Sequence, residues 1–342
     1  HDKNSFFNKS NIIIFKMKLK KLTYFNSWFM KTGIFLSYIG LGSNLLHLTY
    51  CHQIAKKYGP VSVVTICKNL EQALEDDPLI KEVIYIDNYY KKFFDIFKLS
   101  KQLKVYNFNY FYIFYPSIRF FLASKIAGIK NIYTYQLFKK KDLHLVEAAQ
   151  KFIKEKLNIS SCPSETNFYV SEKKKEIAKN EIDQSKKNIV IGAGSSGPST
   201  RWGESNFINL IKKLNENENI FFYILCGSSE NEVSKTIINA IEKKNCVSLS
   251  QKKIGELIPI ISQCDLYVGN DSFGHHITSQ CGIPSIVIML DTPRAYTDYS
   301  VNQHRVMPAE INVDAITHDS RISPDMIKVD QVYKKILSLI KL

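Results

Sequence analysis

The chain has 342 residues, of which 45% are hydrophobic and 12% aromatic. This composition excludes an intrinsically disordered protein and provides the cores of two domains of ordinary size. No run of about 18 to 20 apolar residues is present, so the sequence predicts no membrane span. The formal charge is +14, and residues 1–165 carry 25 Lys and Arg against 12 Asp and Glu, a net of +13. Either that half contacts an anionic partner, or its lysines simply solvate the surface.

Seven cysteines are scattered along the chain and never form a Cys-x-x-Cys pair: Cys51, Cys67, Cys162, Cys226, Cys246, Cys264 and Cys281. Several stand inside apolar runs, as in "FFYILCG". This usage predicts small buried side chains in a reducing compartment and disfavours disulfides or a zinc site. From this cysteine usage we expect a cytoplasmic protein.

Residues 1–30 are basic and aromatic without a helical period, which predicts either a surface-lying anchor or a poorly ordered extension. From residue 31 onwards apolar strands alternate with helical patterns. The first unit is a strand, a turn containing Gly40 and Gly42, and an amphipathic helix that ends near Gly59. Strands separated by helical patterns of about 10 to 15 residues predict βαβ units and a parallel sheet.

The polar stretch 160–187 interrupts the alternation, and a second α/β series follows it up to a final helix. The sequence therefore predicts an α/β fold of two Rossmann-like domains, residues 31–165 and 166–342, each built on a parallel sheet. Ligands of such sheets bind outside the carboxyl ends of the strands. Two glycine-rich turns and the polar segment "NDSFGHH" all follow predicted strands in this way.

The turn "GAGSSG", residues 192–197, matches the dinucleotide-binding pattern G-x-G-x-x-G. That pattern requires a helix at its third glycine and an acidic residue about 20 positions later. Here Pro198 follows at once, and the helical pattern begins only near residue 204. We therefore predict a loop that approaches a phosphate or a sugar with its backbone N–H groups and hydroxyls. The hydroxyls are those of Ser195, Ser196 and Thr200.

The segment "NDSFGHH", residues 270–276, stands between a predicted strand and a helix that Gly282 terminates. Its residue types suit a Ser-His-Asp triad, a metal site or an anion site at a helix N-terminus. It lacks the strained elbow of a nucleophilic serine. Metal-binding helices favour i, i+4 spacing, and the adjacent His275 and His276 are expected to point in different directions. Phosphate binding at the helix start is the prediction that remains, with Asp271 organising the turn.

Two longer segments are "IGAGSSGPSTRWGESNFINLIKKL" and "YVGNDSFGHHITSQCGIPSIVIML". They resemble the family 9 glycosyltransferases, the bacterial heptosyltransferases of lipopolysaccharide core assembly. The similarity includes "GLGSNLLHLT" and "LEDDPLIKEVIYID" and covers roughly residues 31–342. It implies the GT-B architecture, in which two Rossmann-like domains face each other across a cleft. It also implies that the second domain binds a nucleotide sugar, typically ADP-heptose, as a substrate, and that the first presents the acceptor. No cofactor and no metal are expected.

The resemblance places the donor pocket along three parts of the second domain. Glu230 is expected near the nucleoside. The residues along the loop after the first strand of that domain are Ser195, Ser196, Thr200, Arg201 and Trp202. The residues expected to meet the diphosphate are Asp271, Ser272, Phe273, Gly274 and His275, with His276 at a histidine position of the family.

The chain departs from the family pattern at three places. Thr200 stands where the family usually has a lysine, which leaves Arg201 to neutralise phosphate. Phe273 and Gly274 replace the family's Gly-Pro. Where many members have an aspartate as general base, this chain has Ser43 or Asn44, neither of which titrates near neutrality. His47, four residues after Ser43, is a candidate base because it could share a helix face with Ser43 near the cleft, although a structural role is the alternative.

These observations predict an inverting, metal-independent glycosyltransferase. It would move a sugar from a nucleotide diphosphate donor to a lipopolysaccharide-core-like or other anionic glycan acceptor, in peripheral contact with the inner membrane face. Nucleic acid is not an expected partner. One alternative is a sugar-nucleotide or glycan-binding protein that has lost its base. Another is a GT-B transferase of the fucosyl or N-acetylglucosaminyl type.

Overall fold

The computed structural model describes residues 30–87, 94–135, 144–195, 197–216, 219–241 and 245–340. The predicted N-terminal extension lies outside these residues except for Met30, and Ser196 also lies outside them. Within the described ranges, no helix has the length and apolar character that crossing a bilayer requires.

The first sheet contains β1 (Thr32–Leu36), β2 (Val61–Thr65), β3 (Ile80–Tyr85), β4 (Tyr110–Ile113) and β5 (Asn131–Thr134). All pairings are parallel, and the strand order is β3-β2-β1-β4-β5. Every residue of β1 and β2 is buried, as expected for parallel strands that are covered by helices on both faces.

The helices of this first unit are α1 (Leu41–Leu46), α2 (Leu48–Tyr58), α3 (Leu70–Leu74), α4 (Asp95–Tyr106), α5 (Ile118–Ile126) and α6 (Leu145–Leu157). Neighbouring residues of β1 point to opposite faces of the sheet. Ile34 packs in the core formed with α2 and α6, whereas Phe35 packs in the core formed with α4 and α5.

The second sheet contains β6 (Lys187–Gly192), β7 (Ile220–Leu225), β8 (Cys246–Ser248), β9 (Leu266–Asn270), β10 (Ser285–Ile288) and β11 (Gln303–Val306). It is also parallel throughout, in the order β11-β10-β9-β6-β7-β8. Its helices are α7 (Glu172–Ala178), α8 (Glu204–Leu214), α9 (Asn231–Asn239), α10 (Ile254–Ile261), α11 (Phe273–Gln280) and α12 (Val329–Leu339).

The direction of strand addition reverses between β1 and β4 in the first sheet and between β6 and β9 in the second. Ligands of doubly wound sheets bind at such switch points, outside the carboxyl ends of the strands. The predicted α/β fold with two parallel sheets is therefore confirmed, and each sheet offers one site of this kind. The division at residues 165 and 166 stays a prediction.

Two local predictions differ from the structure. The helix expected after the glycine turn is broken at His47 into α1 and α2, and the polar stretch 160–187, expected to interrupt the α/β alternation, itself contains the helix α7. The cysteine prediction agrees better, because all seven cysteines are free and six of them are buried.

Candidate functional site

A cavity of about 480 Å³ lies where the carboxyl ends of the two sheets meet. The first unit contributes the turn between β1 and α1. The second unit contributes the loops after β6, β7 and β9, together with two residues from later loops. The lining residues are Gly40, Leu41, Gly42, Ser43, Gly194, Ser195, Leu225, Cys226, Gly227, Ser229, Glu230, Asp271, Ser272, Phe273, His276, Tyr296 and His318.

The N-terminus of α11 opens into this cavity. Ser272 is the N-cap residue, and its hydroxyl oxygen accepts a long hydrogen bond of 3.4 Å from the Gly274 N–H. The same hydroxyl lies 3.0 Å from the phenol oxygen of Tyr267, which itself donates to the Asn270 carbonyl oxygen. Gly282, with φ of +82°, follows the end of the helix, as predicted. The helix start therefore presents backbone N–H groups to any anion in the cavity.

Asp271 is held by His275 and by the residues behind it. The Gln303 amide nitrogen donates to His275 Nδ1 at 3.1 Å, which leaves the proton of that ring on Nε2. His275 Nε2 then donates to Asp271 Oδ1 at 2.8 Å. His275 itself is fully buried and does not line the cavity. Asp271 thus organises the turn, and His275 supports it from within the core.

His276 presents an uncharged N–H donor to the cavity. The Gln280 amide donates to the Tyr299 hydroxyl at 3.4 Å, and that hydroxyl lies 2.6 Å from His276 Nδ1. The Tyr299 hydroxyl therefore donates to Nδ1, and Nε2 carries the ring proton. Burial lowers the pKa of His276 well below its usual range, so the imidazole is neutral. Its Nε2 side faces the turn of the first unit at Gly42.

The prediction that the two histidines point in different directions is wrong, because their ring centroids lie 3.9 Å apart. Together with Asp271 they offer three ligand atoms within 4.8 Å of one another, which is a possible ion site. In the present arrangement, however, His275 and Asp271 form a direct hydrogen bond. An ion that used both side chains would have to replace that bond.

The turn of the first unit separates its candidate residues. Ser43 lines the cavity, with its hydroxyl 3.5 Å from that of Tyr296. Asn44 is buried, and its amide donates to the carbonyl oxygens of Tyr38 and Gly40. Of the two residues that could align with the family aspartate, Ser43 therefore faces the cavity, and Asn44 holds the turn together.

Of the two alternatives for His47, the structure shows the structural role and not the cleft-facing one. Its side chain is fully buried, and Nδ1 lies 2.7 Å from the carbonyl oxygen of Ser43. The i, i+4 spacing thus produces a contact with the backbone rather than with the Ser43 hydroxyl. Burial also lowers the pKa of His47 to about 4. His47 is packed in the interior behind the turn and does not line the cavity.

The loop after β6 is organised around a carboxylate. Glu230 accepts hydrogen bonds from the backbone N–H groups of Ser195 at 3.0 Å and Gly227 at 3.1 Å. Arg201 forms an ion pair of 2.8 Å with Glu230 and also donates to the Ser195 carbonyl oxygen. Both Ser195 and Glu230 line the cavity. The charge of Arg201 is therefore shared with Glu230 and is not free to act on a phosphate alone.

Two residues expected along the donor pocket belong to the protein interior. Thr200 is buried, and its hydroxyl contacts the Ser195 hydroxyl and the Gly197 carbonyl oxygen. Trp202 is fully buried in the core of the second unit, where its indole N–H donates to the Ile327 carbonyl oxygen at 2.9 Å. Neither residue lines the cavity, so these two predicted positions are corrected to structural ones.

Tyr296 and His318 line the cavity but were not singled out from the sequence. Their rings meet edge to face, with centroids 5.8 Å apart. His318 lies on an exposed loop after β11, in the polar sequence "THDS". Nothing in that short polar segment distinguishes it from an ordinary surface loop. The sequence therefore carries no signal that His318 lines the cavity.

A family model described as glycosyltransferase family 9 (heptosyltransferase) matches residues 122–322. Among curated proteins, no sequence matches the chain. Three solved structures resemble it across 91% of its length. They are ADP-heptose lipopolysaccharide heptosyltransferase II of E. coli, a family 9 glycosyl transferase of Veillonella parvula and the E. coli heptosyltransferase WaaC with ADP.

The structural similarity is strong although the sequences have diverged. The TM-scores are 0.70, 0.73 and 0.70, at identities of 16%, 16% and 13%. The matches cover 98%, 97% and 100% of the three other chains. At such identities the likeness establishes the fold, which is the GT-B fold expected from the sequence.

Replacing Trp202 tests whether it belongs to the core or to the pocket. Trp202→Phe removes the indole N–H and leaves the Ile327 carbonyl oxygen without its buried partner. We expect the free energy of unfolding to fall by about 1–3 kcal/mol, with no change in nucleotide affinity. Chemical denaturation and calorimetry with ADP measure the two quantities, and Tyr169→Phe at a half-exposed aromatic residue is the control. A loss of ADP affinity at unchanged stability would show instead that Trp202 belongs to the nucleotide pocket.

Proposed function

The chain belongs to glycosyltransferase family 9, and from that premise we propose that it transfers a sugar, with inversion, from a nucleoside diphosphate donor to an anionic glycan acceptor. The observation that supports this most is the cavity itself. It combines the anion-binding start of α11, the neutral N–H donor of His276 and the acceptor-side turn at Gly40–Ser43 in one space.

The diphosphate is assigned to the start of α11, between Ser272 and His276. As the bond to the anomeric carbon breaks, negative charge develops on the leaving diphosphate. Backbone N–H groups at a helix start and a fixed imidazole N–H stabilise such charge without reorganising. Because Arg201 is paired with Glu230, its contribution is secondary. ADP-heptose is the donor we propose, because two of the similar structures are named for ADP-heptose or contain ADP.

The nucleoside is assigned to the loops around Glu230. The carboxylate is fixed by two backbone N–H groups and Arg201, yet it still borders the cavity, where a ribose hydroxyl can donate to it. Gly194 permits this packing, since a Cβ there would lie 2.4 Å from Glu230 Oε2 and 2.9 Å from the Cys226 Cα. Because Gly194 has no side chain, the pocket has room at this point for the planar ring of a nucleobase.

The acceptor hydroxyl needs a proton acceptor, and we assign that role to His318. Ser43, although it faces the cavity, has no basic group. Glu230 and Asp271 are engaged by hydrogen bonds, and His276 is an N–H donor. Within the described part of the chain, no hydrogen bond reaches the ring nitrogens of His318.

The position of His318 also suits this role. Its ring packs on Tyr296, whose hydroxyl lies beside that of Ser43 on the acceptor-side turn. In the transfer step the acceptor oxygen bonds to the anomeric carbon, and the bond from that carbon to the phosphate oxygen breaks. The electron pair of that bond leaves with the diphosphate, and the acceptor proton moves to the imidazole.

A non-catalytic sugar-nucleotide or glycan-binding protein is the second candidate function. The observation in its favour is the acceptor-side turn, which offers Ser43 and the structural amide of Asn44 instead of a carboxylate. Such a protein would bind nucleotide but would not turn over a donor with any acceptor.

Donor binding can be tested by filling the space in front of the N-terminus of α11. In Ser272→Trp an indole would fill the space assigned to the diphosphate, and we expect the affinity for ADP to fall at least tenfold in calorimetry. Arg201→Ala is expected to weaken ADP less, because Glu230 already shares the arginine charge. Val301→Ser, at a residue 82% exposed outside the cavity, is the matched control. If ADP affinity is unchanged in both Ser272→Trp and Arg201→Ala, the diphosphate does not bind at this helix.

The assignment of His318 as proton acceptor predicts a loss of turnover when its imidazole is removed. His318→Gln keeps a polar side chain but cannot accept the proton, so we expect kcat to fall about 10²-fold or more while ADP affinity is unchanged. Initial rates of transfer from ADP-heptose to lipopolysaccharide-core acceptors measure kcat, and calorimetry with ADP measures the affinity.

His304→Gln, at a partly buried histidine of β11 outside the cavity, is the control for the loss of a histidine. Retention of kcat in His318→Gln would place the base elsewhere. A wild type that binds ADP but transfers no sugar would instead favour the non-catalytic protein.

We propose that transfer needs no metal ion. Treatment with a chelator should then leave kcat unchanged, because helix N–H groups and His276 stabilise the leaving diphosphate. Loss of activity that is restored by a divalent ion would contradict this. In that case Asp271→Asn should abolish the restoration, since Asp271, His275 and His276 form the candidate ion site.

A further inference from the structure

Helices α4 and α5 form one layer on the outer face of the first sheet. α4 buries Ile96, Leu99, Ser100 and Leu103, and its apolar residues share a core with Phe35 and Phe111 of the sheet. The two helices also pack against each other. The side of the layer that faces away from the sheet is exposed, and we call it the α4–α5 face.

Large apolar side chains stand on the α4–α5 face although the helices have already buried an apolar side. Phe97 is 55% exposed and Val105 is 75% exposed on α4, and Ile118 and Ile126 are 44% and 51% exposed on α5. Phe97 and Val105 are eight residues apart, which places them along one side of the helix. Single exposed apolar residues are common, but several on one two-helix face indicate an interaction surface.

Basic residues surround these apolar side chains. Residues 94–130 contain six Lys and Arg and one acidic residue, Asp95, a net of +5. The basic residues are Lys98, Lys101, Lys104, Arg119, Lys125 and Lys130, and all six are exposed. Apolar and basic side chains on one exposed helical surface are typical of helices that lie in the interface of an anionic membrane.

The location of the α4–α5 face also agrees with contact with a membrane. α4 follows β3 and α5 follows β4, so both helices start at the carboxyl edge of the first sheet, where the cavity opens. Ile118, the first residue of α5, therefore lies on the carboxyl side of the first sheet. A membrane that met the α4–α5 face would bring a lipid-linked saccharide close to the acceptor-side turn at Gly40–Ser43.

We propose that the α4–α5 face binds the surface of an anionic lipid bilayer, with the apolar side chains inserted and the lysines at the phosphate level. Self-association through this face would bring together two surfaces of net +5, which repel each other. Vesicle binding requires neither donor nor acceptor, so it can fail or succeed separately from sugar transfer.

The test is co-sedimentation of the full chain with vesicles of phosphatidylglycerol and phosphatidylethanolamine, with phosphatidylcholine vesicles alongside. We expect binding to the anionic vesicles, weaker binding at higher salt and little binding to phosphatidylcholine. Phe97→Ser with Val105→Ser should weaken binding at least tenfold, and so should Lys101→Glu with Lys104→Glu.

The matched control is Val301→Ser with Ile177→Ser, which removes two exposed apolar side chains (82% and 59% exposed) elsewhere. It should bind like the wild type. Three outcomes would overturn the proposal. One is wild-type binding to neither vesicle, and another is undiminished binding in both α4 double variants, which would assign the membrane to another surface. The third is a dimer in analytical ultracentrifugation that the Phe97 and Val105 changes dissociate, which would make the face a contact between two copies.

Discussion

The approach of Gly42 to His276 is the constraint on which the cavity depends. A Cβ at position 42 would lie 2.7 Å from the His276 Cδ2 atom and 2.8 Å from Nε2, closer than real side-chain contacts allow. The turn of the first unit can therefore touch the start of α11 only because residue 42 is glycine. Gln280 strengthens the same junction, since its amide donates to the Leu45 carbonyl oxygen as well as to Tyr299. Helix α11 and the turn at Gly40–Ser43 are thus fixed relative to each other by direct contact.

Charges are distributed unevenly between the cavity and the exterior. Inside, the ionic groups are largely paired or neutral: Arg201 with Glu230, Asp271 with His275, and an uncharged His276. Outside, the lysines of the α4–α5 face have one acid, Asp95, in the same stretch of chain. The positive charge of this described stretch therefore lies on the exterior rather than in the pocket. In our proposals this charge binds the membrane that carries the acceptor. The donor is bound instead by helix dipoles and fixed N–H groups.

Features set by local sequence could be predicted, and features set by tertiary packing could not. The alternation of strands and helices, the helix start at Glu204 and the stop at Gly282 follow from residue periodicity and backbone preference. The burial of Trp202 and of His47 depends on distant partners such as Ile327 and the aromatic ring of Tyr38. The sequence also could not place His318 in the cavity, because its neighbours there come from other loops. Motif positions located the site, but the direction of each side chain required the structure.

The shared hydrophobic core beneath the cleft limits how far the two units can move apart. One continuous cluster joins Ile34 and Leu70 of the first unit to Leu257 and Tyr267 of the second, and α3 packs directly on α10. Gly255 lies at this contact, where a Cβ would stand 3.0 Å from Oε1 of the exposed Glu75 side chain. Separating the helices would expose apolar area at a cost of about 25 cal/mol per Å². Any opening of the cleft that separates α3 from α10 would therefore be opposed by this shared core.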